Sequence, residues 1–120
     1  MLLRRDTHVE TMTIDITEDD DLSDAAIEMR PYSLMVVHMP AAWTSASIGF
    51  KVSSDENGTY LPLYDDDGNL IQIDSPSASQ AYVAPAALAA AHWVKLWSQN
   101  GSGTNTAQAA DRTFTVELKA

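Results

Sequence analysis

Apolar and polar residues alternate along most of this chain with a period of two, the spacing of a strand that buries one face. The clearest run is Ser47 to Ser53, where Ile48, Phe50 and Val52 share one face and Ser47, Gly49, Lys51 and Ser53 the other. Ser53-Ser54-Asp55-Glu56-Asn57-Gly58 follows as a polar turn, its Asn-Gly pair suited to the positive φ angles of a tight hairpin. Thr59 to Tyr64 returns as a strand, Asp65-Asp66-Asp67-Gly68-Asn69 turns the chain again, and Leu70 to Ile73 follows. The pattern predicts a three-stranded β-meander here.

The same period organises the rest. Val9 to Thr17 places Met12, Ile14 and Ile16 on one face and Thr11, Thr13, Asp15 and Thr17 on the other. Ala25 to Met29 is a short strand stopped by Pro31. Ser33 to Met39 is apolar on both faces, which predicts a central strand or one covered by a neighbouring subunit. His38 inside it is read as a hydrogen-bonded structural histidine, because no second histidine lies at metal-ligand spacing. Ala81 to Val83 can pair briefly, and Pro85-Ala86-Ala87-Leu88-Ala89-Ala90 predicts a single helical turn with proline near its start. In His92 to Ser98, Val94 and Leu96 point one way and Trp93, Lys95 and Trp97 the other. With the aliphatic pair inward, a Trp-Lys-Trp stripe is left outside as a candidate interaction patch, unless another segment covers it. Gln99 to Ala110 reads as a flexible polar loop, and Thr113 to Lys119 closes the fold with Phe114, Val116 and Leu118 inward. The fold class expected is all-β: an antiparallel β-sandwich or jelly roll of about eight strands with one short helical turn. Residues 9–120 form its single domain, preceded by an arm over residues 1–8.

Composition narrows the chemistry. The formal charge of −10 over 120 residues argues against binding a nucleic-acid backbone or an anionic membrane. With no cysteine there is neither a disulfide framework nor a thiolate metal site. Met1-Leu2-Leu3-Arg4-Arg5 leads into no apolar stretch, so no secretory signal is predicted. Glu18-Asp19-Asp20-Asp21 reads as a solvated turn. Asp65, Asp67 and Asn69 imitate the start of an EF-hand loop, but Gly68 stands at its fourth place instead of its sixth and Pro76 where the closing Glu belongs. No nucleophile elbow, phosphate loop or zinc motif occurs. The expectation is a protein without enzymatic activity, cofactor or metal.

Met39 to Asn69 and His92 to Lys119 resemble segments of small structural proteins of tailed bacteriophages. The residues that carry this are Pro40-Ala41-Ala42-Trp43, the Ser54-Asp55-Glu56-Asn57-Gly58 hairpin, Trp93-Val94-Lys95-Leu96 and Gln108-Ala109-Ala110-Asp111-Arg112-Thr113. The resemblance spans roughly residues 33 to 119, and the hairpin and aromatic-Lys strand are also similar to galactose-binding-like jelly rolls. Within the phage group, size and acidity look most like a capsid decoration, or cement, protein. That implies a homotrimer on the outer capsid surface that clamps the major capsid protein, made in the host cytoplasm. Its contact residues would be Leu2, Leu3, Arg4, Arg5 and His8 of the arm with Trp93, Lys95 and Trp97. The rival reading is a carbohydrate-binding or tail/baseplate module, with Trp43, Tyr60, Tyr64, Trp93 or Trp97 as a stacking platform.

Overall fold

The computed structural model describes residues 9–120. The arm over residues 1–8, with its candidate contacts Leu2, Leu3, Arg4, Arg5 and His8, lies outside the described residues. The strands are β1 (Val9–Ile16), β2 (Ile27–Glu28), β3 (Leu34–His38), β4 (Ser47–Ser53), β5 (Leu61–Pro62), β6 (Gln72–Ile73), β7 (Ala81–Val83), β8 (Trp93–Gln99) and β9 (Arg112–Lys119). A 3₁₀ turn, Ala86–Ala90, precedes β8.

Pairing is antiparallel throughout and nested like brackets: β1 with β9, β2 with β8, β3 with β7, and β4 with both β5 and β6. Two further pairings, β3–β9 and β4–β8, join these into sheets of order β1-β9-β3-β7 and β2-β8-β4-β5, with β6 also on β4. This is the wrapping of one long hairpin into two sheets, the jelly-roll arrangement. Strands distant in sequence thereby become neighbours, and their inward residues meet in one core.

The alternation read from the sequence decides which residues those are. Ile14, Ile16, Met35, Val37, Phe114, Val116 and Leu118 come from the first sheet, and Ile27, Ile48, Phe50, Val94 and Leu96 from the second; all are buried. Each such side chain contributes about 1.5–3 kcal/mol through its removal from water. Trp43 closes one side by meeting Phe114 edge-on, with centroids 5.4 Å apart. The alanine-rich turn behaves as its composition predicts: Pro85 opens it, the Leu88 amide donates to the Pro85 carbonyl, and Leu88 alone is buried.

Two local expectations change. The Asn57-Gly58 turn does not use positive φ. Its Gly58 amide donates to the Asp55 carbonyl, and a Cβ on Gly58 would lie 2.7 Å from Ser53 Oγ, so glycine serves close approach. Nor do β4, β5 and β6 form a simple meander. β5 covers Lys51 and Val52, β6 covers Ile48 and Gly49, and both lie along the same edge of β4. Between them the chain projects as a hairpin closed by a Tyr64–Leu70 bridge. Asp65 builds its tip. The carboxylate Oδ1 accepts from the amides of Asp67 and Asn69, and those hydrogen bonds, Asn69 foremost, hold its pKa below the ordinary value.

Candidate functional site

β8 carries the residues that the sequence singles out, and the structure treats them differently. Trp93, Lys95 and Trp97 do point away from the core, opposite Ser53, Lys51 and Gly49 of β4. Trp97 is nevertheless only 1% exposed, so the stripe is not a continuous surface patch. Its ring lies across Gly49, where a Cβ would stand 2.6 Å from the indole. Its Nε1–H donates to Asn105 Oδ1 at 2.8 Å, which satisfies the one polar group of a buried tryptophan. Lys51 Nζ sits 4.7 Å from the ring centroid. Lys51 and Lys95 are direct cross-strand partners, an arrangement that repels. They part by turning to different rings, Lys51 to Trp97 and Lys95 to Tyr60 at 4.8 Å.

The cover over Trp97 is the segment read as a flexible loop, and buried amides hold it down. Gln99 Oε1 accepts from the amides of Gly101 and Gly103, both at positive φ, while its Nε2 donates to Gln72. Gln108, fully buried, accepts from the Thr44 amide and Arg112 Nε, and donates to the Thr44 carbonyl and Ser98 Oγ. Asp19 and Gln108 complete the clasp through the backbone. Among the described residues no buried side-chain nitrogen or oxygen lacks a partner. Sequence reasoning missed Gln99 and Gln108. The one available signal is two glutamines framing a glycine-containing loop.

Trp93 is half-buried and stacks on His92 at 5.2 Å. It lines a cleft of about 380 Å³ where the two sheets part, with Glu10, Met12, Glu28, Arg30 and Tyr32 among its neighbours. The rim is tied together: Tyr32 donates to Glu10, and His92 Nε2 faces both Glu28 and Arg30, donating to the carboxylate when it carries the proton and accepting from the guanidinium when it does not. Burial and the bond to Glu10 raise the Tyr32 pKa. The chemistry on offer is an aromatic platform ringed by charged hydrogen-bonding groups.

A third surface lies on the outer face of the first sheet. His38 pairs with Glu117 there, the structural role expected of it. Beyond this pair the face turns apolar, and Val9, Leu34, Val36 and Val83 line a groove of about 200 Å³ with Glu117 and Lys119. The apolar character of both faces of β3 is thus explained only in part by its place between β9 and β7, because Leu34 stays 48% exposed.

Ligand atoms of Asp65, Asp66 and Asp67 approach within 4.8 Å of one another, but Asp65 already spends Oδ1 on the hairpin tip. Among the described residues no helix is long and apolar enough to cross a membrane.

No family model matches this chain, and no curated protein matches it either. Among solved structures it is similar to the SPBc2 prophage-derived protein YomS, with a TM-score of 0.62 at 14% identity over 100% of both chains. At that identity the likeness establishes the shared β fold, from end to end of each chain. It carries no site residues across.

Proposed function

We propose that this chain is a structural virion protein that binds the outer surface of an assembled phage capsid and stabilises it. The observation that supports this most is the complete jelly roll, similar over the full length of both chains to a prophage-derived protein. The phage-type phrases Pro40-Ala41-Ala42-Trp43 and Trp93-Val94-Lys95-Leu96 fall on the framework of that fold, around Phe114 and on β8. A net charge of −10 fits a surface component that stays soluble until it meets its lattice. The role is non-enzymatic, without nucleic-acid or membrane contact, and the partner is the major capsid protein.

The mechanism is mass action. A protein that binds only the assembled lattice adds its binding free energy to that state, so the shell resists the outward pressure of packaged DNA. Many copies holding neighbouring subunits act multivalently. Trp93 and Lys95 remain the accessible part of the β8 face, and the arm residues Leu2, Leu3, Arg4, Arg5 and His8 are the other proposed contacts. Immunogold labelling of purified particles tests the placement. Label over the head is expected; label confined to the tail, or none, overturns it.

The cleft beside Trp93 favours a second reading, a saccharide-binding module on a tail or fibre. One half-exposed indole with Tyr32, Arg30, Glu10 and Glu28 around it is a suitable stacking site with polar donors and acceptors. Binding on a glycan array that Trp93→Ala abolishes would establish this reading in place of the first.

A further inference from the structure

We propose that the outer face of the first sheet is a contact between two copies of this chain, related by a two-fold axis. The inference stands apart from the virion reading, because it needs no capsid. Register places the residues. Val9, Lys119 and Leu34 form one row across β1, β9 and β3, and Thr11, Glu117, Val36 and Val83 form the next row, across all four strands. Directly paired residues share a face, so all seven point outward together. Val83 is 73% exposed, Val9 56% and Leu34 48%. The following row, Thr13, Thr115, His38 and Ala81, is polar or small, so the apolar patch is confined to one end of the sheet.

An apolar cluster confined to one end of an otherwise polar face is the kind of surface that takes a partner, and the charges say which. An axis lying in the face, across the strands and midway between the two rows, turns the sheet onto itself with its rows exchanged. Lys119 of one copy then sits over Glu117 of the other, whose Oε1 stays with His38 while Oε2 faces the lysine, and Glu117 over Lys119. Leu34 comes over Val36, and the reverse. Each copy supplies both signs, so the two salt contacts form symmetrically, as an isologous interface requires. Sheets packed face to face keep their strands within about 30° of alignment, which preserves this correspondence. An anionic partner would leave Glu117 opposed, and a cationic one Lys119. A second copy satisfies both. This contact gives a two-fold pair in place of the trimer that the phage resemblance implies. Four side chains fall short of the roughly 800 Å² per partner of a standard interface, so the pair forms reversibly with concentration.

Sedimentation velocity of the full chain over a concentration series tests this, with circular dichroism to confirm folding. A monomer–dimer equilibrium is expected. Leu34→Asp with Val83→Asp should weaken it at least tenfold, as should Glu117→Lys or Lys119→Glu singly. In a His38→Gln background, where the reversal no longer breaks the His38–Glu117 pair, the double reversal, Glu117→Lys with Lys119→Glu, should restore the constant of that background. Its failure to restore, a trimer, association indifferent to Leu34 and Val83, or a wild type that stays monomeric would each overturn the proposal. A monomer whose Leu34 face becomes protected only on capsids would assign the face to the capsid protein and likewise overturn it.

Discussion

Replacing Gln108 by leucine keeps the volume of a fully buried side chain and removes its amide. Four interactions disappear: those with the Thr44 amide, the Thr44 carbonyl, Ser98 Oγ and Arg112 Nε. Arg112 keeps a bond to Thr44 Oγ1, and the partly exposed Thr44 can recruit water for one of its groups. Ser98 Oγ and the other Thr44 group stay buried without the amide. At about 1–3 kcal/mol for each of these two unsatisfied groups, the loss is about 2–6 kcal/mol. That is a large share of the roughly 5–15 kcal/mol by which a domain is stable. With a urea slope of about 1–3 kcal/mol per molar, the unfolding midpoint should fall by roughly 1–3 M. Hydrogen exchange should localise the damage, since the Asp19 amide donates to the Gln108 carbonyl and the Thr106 amide to that of Ser98. Both amides should lose protection before the core strands do. A midpoint shift below about 0.5 M, or unchanged exchange at Asp19 and Thr106, would refute the idea that Gln108 holds this loop down.

The remaining predictions separate folding from contact. Trp97→Ala should cost about 3–5 kcal/mol as the truncation of a fully buried side chain under its covering loop, whereas Trp93→Ala should cost about 1 kcal/mol or less; urea unfolding of the two variants checks the contrast. Asp65 has a folded-state pKa lowered beneath 3.8, so its contribution to the hairpin is complete above that pH and lost as pH falls through the folded value. An NMR titration should show Asp65 protonating below 3.8 together with loss of the Asn69 amide's protection, and Asp65→Asn should remove that pH dependence.

Much of the fold was legible because period-two alternation marks faces directly. Ile14, Phe50, Leu96 and Val116 lie inward where their spacing puts them. What was hidden is non-local. The outward turn of Trp97 could be read from spacing, but its cover comes from residues 100–105, ordered by a glutamine whose amide looks like any polar loop residue. Gln108 was hidden for the same reason: a side chain meeting Thr44 across 64 positions leaves no local trace. Asn57-Gly58 carries the composition of a tight hairpin, yet the strands it joins pair only at Lys51 and Val52, so a longer turn fits. Leu34 and Val36 did announce an apolar outer face; its confinement to one end required the register.

Co-sedimentation of the purified, labelled chain with expanded capsids that lack it tests directly whether the chain binds the shell. Saturable binding is expected at a copy number commensurate with the symmetry of the shell, weakened by Trp93→Ser in a variant that remains folded. Absence of binding to expanded capsids, at concentrations where the chain is folded and soluble, would contradict it.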